Sequence, residues 1–149
     1  MQCWGQVWAY QVGYNRDGYT VPDRETQLGL YQRHKELAYL AAEAYNRTLI
    51  PCGEAWEFVR QGGYDNLCAR LGKGTNHEGD YYHDGDVGGG QYLNAAVWFE
   101  TITGISVVGN TYRPVYTYNG TEIPLNSEMT YERLQEAAHQ AVLDSTTEE

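Results

Sequence analysis

The chain has 149 residues, one domain's worth, and 42% of them are hydrophobic, enough to form a buried core. Asp and Glu total 20 against 10 Lys and Arg, a formal charge of -10 that repels a phosphate backbone and argues against nucleic acid as a partner. No run reaches the roughly 18 apolar residues of a membrane span, and Met1-Gln2-Cys3-Trp4-Gly5 does not open like a signal peptide.

In chain order, Gln6–Val12 is aromatic, β-branched and closed by Gly13, which predicts a buried strand. Tyr14–Arg24 holds Asn, Asp, Gly and Pro and reads as a loop. From Glu25 to Arg47, Leu30, Leu37, Ala38, Ala41 and Tyr45 recur at helical spacing. Thr48–Pro51 reads as a second short strand, and Gly53–Gln61 as a helix stopped by Gly62-Gly63. Strand, helix, strand, helix with short connections predicts an α/β fold with the two strands parallel. A helix over Gln91–Thr103 is apolar nearly all round, hence mostly buried, and stops at Gly104. Tyr116–Ile123 carries an Asn-Gly hairpin signal, and Pro124 limits its second strand to an edge. A last helix over Tyr131–Leu143 has Thr130 for an N-cap, and residues 144–149 read as a frayed tail. Residues 1–143 thus form one unit with no internal repeat or dividing linker.

Cys3, Cys52 and Cys68 are odd in number and irregularly spaced, with no C-x-x-C pair. They read as buried or free thiols, neither a disulfide framework nor a zinc motif. His34 and His139 lie in helices as surface or boundary residues, and His77 lies in a loop beside His83. The 14 tyrosines supply core and rim, and mildly favour a carbohydrate-ester substrate.

The segment Gly79–Ala95, GDYYHDGDVGGGQYLNA, gathers charge and backbone freedom directly before an apolar helix. Three readings compete there. In Asp80-Tyr81-Tyr82-His83 a carboxylate three residues before a histidine can accept from one ring nitrogen, fix the tautomer and leave the other nitrogen to a nucleophile. Alternatively Glu78, Asp80, Asp84 and Asp86 form part of a calcium loop, although the terminal bidentate glutamate of an EF-hand is missing. His77 and His83 with Asp80 fit no familiar transition-metal spacing. The third reading is a solvated acidic connector.

The stretch DYYHDGDVGGGQYLNAAVWFETITG, with WAYQ at Trp8–Gln11 and IPCGEAWEFVR at Ile50–Arg60, resembles a bacterial family within the SGNH (GDSL-like) hydrolase superfamily. The resemblance covers nearly the whole chain in order. It implies an α/β fold, the C-terminal portion of a flavodoxin-like three-layer α/β/α sandwich with parallel strands. It also implies a triad acid at Asp80 and a triad base at His83, no cofactor or metal, and a small ester or acylated carbohydrate as substrate. The superfamily's Gly-Asp-Ser or Gly-Asn-Ser block precedes the acid and base, whereas Ser106, Ser127 and Ser145 all follow them here. The expectation is therefore a fragment of a serine esterase or deacylase, inactive alone, that self-associates or pairs with a chain carrying the serine block. The alternative is a non-catalytic α/β binding module whose acidic loop holds calcium or another ligand.

Overall fold

The structure, a computed structural model, describes residues 24–62, 89–118, 120–123, 125 and 129–147. Four helices and one hairpin make up these residues: α1 (Arg24–Ala44), α2 (Cys52–Gln61), α3 (Gly90–Thr103), β1 (Tyr116–Tyr118), β2 (Thr121–Ile123) and α4 (Tyr131–Thr147). No helix among them is long and apolar enough to cross a membrane.

The core is a three-helix cluster of α2, α3 and α4. On α2, Cys52, Ala55, Trp56 and Val59 recur at i, i+3, i+4 and i+7, and all are buried. The same spacing on α4 buries Leu134, Ala137, Ala138 and Ala141, whose small side chains let the neighbouring helices approach closely. From α3 come Tyr92, Leu93, Ala96 and Val97, and Val107 and Met129 close the cluster. Trp56 Nε1 donates to Asn94 Oδ1 at 2.8 Å, tying α2 to α3. The Tyr92 and Tyr131 rings meet edge-on with centroids 4.8 Å apart, tying α3 to α4. Leu93 and Leu134 have no exposed surface, so truncating either to alanine costs about 2–5 kcal/mol.

Local chemistry sets most element ends. Gly104, at φ 68, stops α3 and donates its N–H to Glu100 O at 2.8 Å. Thr130 caps α4, its Oγ1 accepting from Arg133 N at 3.2 Å. The hairpin pairs Tyr116 with Ile123 and Tyr118 with Thr121, and Gly120 in its turn takes φ 78. α4 outruns the expected stop at Leu143 and takes in Asp144 to Thr147. In this extra turn Ser145 and Thr146 hydroxyls donate to the carbonyls of Val142 and Leu143, and Gln140 donates to Asp144.

α1 ends at Ala44, short of Arg47. Asn46 takes φ 49, its N–H reaches Glu43 O, and Arg47 N–H reaches Ala42 O. That pair of bonds is a Schellman stop with asparagine in the left-handed position. The half-buried side of α1 runs through Tyr31, His34, Ala38 and Ala42, while Leu37, Ala41 and Tyr45 of the expected apolar stripe are exposed.

The expected sandwich of parallel strands is overturned. The described residues are mostly helical, and the only strands among them form the antiparallel hairpin. Thr48–Pro51 is not a strand but the irregular lead into α2: Cys52 N–H turns back to Ile50 O at 2.9 Å, and Pro51 O accepts from Ala55 N. Pro51 has no N–H to give a ladder, and its buried ring with the half-buried Ile50 serves helix packing instead. Gln6–Val12, the other expected strand, lies outside the described residues.

α3 also departs from expectation. It is apolar nearly all round yet only one side is buried; Ala95, Trp98, Phe99 and Ile102 face outward.

Candidate functional site

Asp80 and His83 lie outside the described residues, as do His77, Glu78, Asp84 and Asp86. The described residues resume at Gly89, six residues after His83. Gly89 is buried, takes φ 87 and precedes α3, and its carbonyl accepts from Leu93 N at 2.9 Å. A Cβ built at Gly89 would stand 2.5 Å from Leu134 Cδ1, which is itself fully buried. Only glycine fits this position, both in backbone angle and in space. The glycine run therefore has one member whose role is steric: Gly89 lets the start of α3 lie against α4.

A second arrangement of chemically capable residues joins α3 to α4. Glu100, a buried carboxylate on α3, places Oε1 2.5 Å from His139 Nδ1 of α4, and Oε2 accepts from Val107 N at 2.9 Å. Ser106 Oγ stands 3.4 Å from the same Nδ1 and accepts from Val108 N at 3.3 Å. A serine, a histidine and a glutamate thus meet, but not as a relay. In a relay the carboxylate and the hydroxyl engage opposite ring nitrogens. Here both engage Nδ1, and a nitrogen that donates to Glu100 cannot also accept the Ser106 proton. Ser106 is consequently not an activated nucleophile. The cluster's work is structural: one buried carboxylate ties α3, α4 and the segment after Gly104 together.

His139 reads in the sequence as a surface or boundary residue, and it is a third exposed, but it also has a buried partner in Glu100. A signal existed. Glu100 is the only charged residue of α3, and a charge inside an apolar helix calls for a buried partner.

Gln135 makes a parallel tie. Fully buried, it donates through Nε2 to Tyr92 Oη and to Asn110 O, both at 2.8 Å, and its Oε1 accepts from Gly109 N at 3.1 Å. At the start of α4, Arg113 Nη2 pairs with Glu132 at 2.6 Å, and the guanidinium sits 4.7 Å from the Tyr131 ring centroid. Glu132 is held below the usual glutamate range by its own backbone N–H first and the Arg113 hydrogen bond second. Burial pushes the Tyr131 hydroxyl up, and Arg113 opposes that shift. Tyr131 donates to Pro114 O at 3.2 Å.

Among the described residues no group of three or more His, Cys, Asp or Glu side chains could hold a metal ion. Cys52 is a fully buried cysteine at the start of α2. A groove of about 890 Å³ runs between α1 and the ends of α3 and α4, bordered by Lys35, Glu36, Glu43 and Arg47 together with Thr101 and Ser145. Its borders carry charges of both signs. Comparison with known proteins yields no matching family model, no matching curated protein and no matching solved structure.

Proposed function

We propose that this chain carries the acid–base pair of a serine-type ester hydrolase, Asp80 and His83, acting on a small ester or acylated carbohydrate. The nucleophile comes from a serine block that this sequence does not contain. The reading rests on the sequence blocks around Asp80 and His83 and not on a parallel sheet. The observation that carries it is the Asp80-Tyr81-Tyr82-His83 block of the sequence, and the buried Gly89, six residues after His83, is a described anchor point on the helical core. A catalytic loop needs such an anchor, because a base displaced by about 1 Å can lose a hundredfold in rate.

In this reading Asp80 accepts the Nδ1 proton of His83 and sets the tautomer. His83 Nε2 takes the proton of the serine hydroxyl as that oxygen attacks the acyl carbon, then passes it to the departing alcohol. Water, deprotonated by the same nitrogen, releases the acid and restores the serine.

Ring-nitrogen NMR on the labelled chain tests the pair directly. Neutral His83 is expected as the Nδ1–H tautomer, and Asp80→Asn is expected to shift it toward Nε2–H, the form histidine ordinarily prefers. An Nε2–H tautomer indifferent to Asp80→Asn would remove the dyad.

A further inference from the structure

The geometry points to a second chemical site, on α4: Glu136 and His139 bind a divalent transition cation such as zinc through the glutamate carboxylate and the ring Nε2. Asp80 and His83 take no part in it, so this site and the proposed ester chemistry stand or fall separately.

His139 presents two unlike edges. Nδ1 is held by the buried Glu100 carboxylate at 2.5 Å, with Ser106 Oγ beside the same nitrogen at 3.4 Å. Across the ring, Nε2 takes no hydrogen bond among the described residues, and the side chain is a third exposed. A neutral ring that donates its Nδ1–H to a carboxylate carries its lone pair on Nε2. Histidines that bind metal are held in this way: a carboxylate on the far nitrogen fixes the tautomer, aims the ring and makes the other nitrogen a stronger donor. Packing of α3 on α4 accounts for the Nδ1 edge and gives the Nε2 edge nothing to do.

The second donor follows from helix geometry. Glu136 stands three residues before His139, so both lie on one face of α4. Helical side chains lean toward the N-terminus, which carries the His139 ring toward the turn that bears Glu136. Glu136 is exposed and pairs with no described residue. Glu-x-x-His on one helix is a spacing that can bring a carboxylate oxygen and an imidazole nitrogen to one ion.

Charge selects a cation. From Gln91 to Tyr112 and from Leu134 to Thr147 the chain has no Lys or Arg, whereas Glu100, Glu136 and Asp144 are acids. The cations nearest in sequence are engaged elsewhere, Arg113 with Glu132 and Arg133 with the Gly62 carbonyl. A mixed nitrogen and oxygen pair suits zinc or copper, while calcium and magnesium take oxygen ligands. No third His, Cys, Asp or Glu among the described residues joins the pair, so water completes the coordination.

Ring-nitrogen NMR on the histidine-labelled whole chain, followed through a zinc titration, tests this. His139 Nε2 is expected to move to the metal-bound range while Nδ1 stays protonated. Glu136→Gln is expected to weaken the response several-fold. Glu100→Gln, which leaves a neutral acceptor behind the ring, is expected to weaken it about tenfold. Calcium at the same concentration is expected to leave the ring unmoved. The titration reads the wild-type ring itself, so a variant that failed to fold would not remove the test. A His139 Nε2 unmoved by zinc would overturn the site, whichever of His34, His77 and His83 responded. An undiminished response in Glu136→Gln would also overturn it, as would one that calcium reproduced, since that would be cation accumulation on an acidic surface.

Discussion

Oε1 of Glu100 lies 2.5 Å from Nδ1 of His139, a contact that closes 39 residues of chain and joins α3 to α4. The carboxylate is buried and its second oxygen accepts the Val107 N–H at 2.9 Å, so one side chain satisfies groups on two other segments. Removing it leaves the Val107 N–H without this acceptor and leaves His139 Nδ1 with only Ser106 Oγ, at 3.4 Å.

Glu100→Ala is therefore expected to destabilise the chain by about 2–3 kcal/mol, the range for losing buried hydrogen bonds to a charged group. Glu100→Gln keeps an acceptor for Val107 and should cost less. His139→Ala should cost less again, because the ring is partly exposed and solvent screens its half of the pair. Urea unfolding of the single and double variants gives the coupling; additive effects would show that the pair is not energetically linked.

The same pair shows what the sequence could disclose. α3 was legible to within a residue at its start and at its end, because an apolar run bounded by glycines leaves the backbone few alternatives. α2 and the hairpin were legible for similar reasons of punctuation. Thr48–Pro51 was not: a β-branched, apolar tetrapeptide is compatible with a strand, but a strand needs a ladder partner, and only tertiary packing decides whether one is present. Glu100 and His139 sit on separate helices, so spacing within either helix could not pair them. Of the proposed site, the Gly89 junction could be guessed as a glycine-rich loop end, but not that Leu134 is what excludes a side chain there. Asp80 and His83 were singled out by their spacing and by family resemblance, and they lie outside the described residues.

Gly89→Ala isolates that junction. The variant meets a left-handed backbone at φ 87 and a Cβ 2.5 Å from a fully buried Leu134 methyl. Backbone strain and overpacking each cost on the order of 1–3 kcal/mol, so the expected loss is about 2–6 kcal/mol. Gly104→Ala is the control. It shares the left-handed backbone, at φ 68, but has nothing within 4 Å, and should lose only about 1–2 kcal/mol. Equal losses in the two variants would mean that Leu134 moves aside freely.

The Arg113–Glu132–Tyr131 group gives a pH dependence of fixed sign. Glu132 is depressed below 4.5 in the folded chain, by its backbone N–H first and Arg113 second, so it favours folding above that value and loses the contribution as pH falls through the depressed value. Tyr131 is raised above 10.0 by burial, so its contribution is complete below 10.0 and is lost as pH rises through the raised value. Arg113→Met removes the guanidinium from both. The stability gap between wild type and Arg113→Met should shrink as pH falls below 4.5, measured by urea midpoints; a gap that widens there would contradict the assignment.

The acidic loop supplies the last test, which separates an ester-hydrolysing loop from a calcium-binding one. Glu78, Asp80, Asp84 and Asp86 offer enough oxygens to begin a calcium site, and a ligand that binds only the folded chain stabilises it by mass action. At a hundred times the dissociation constant this amounts to about 2.7 kcal/mol, a shift in melting temperature well above measurement error. Under the proposed function Asp80 is committed to His83, and the remaining carboxylates lack the bidentate glutamate that completes the familiar loop. Millimolar calcium is thus expected to leave the melting temperature unchanged. Under the same proposal the purified chain is expected to leave small aryl esters unhydrolysed, since its sequence has no serine block. Fusion to a segment bearing that block should restore turnover, and His83→Ala should then remove most of it. A chelator-reversible rise in melting temperature that Asp80→Asn abolishes would transfer Asp80 from the dyad to a metal, and with it the function from catalysis to binding.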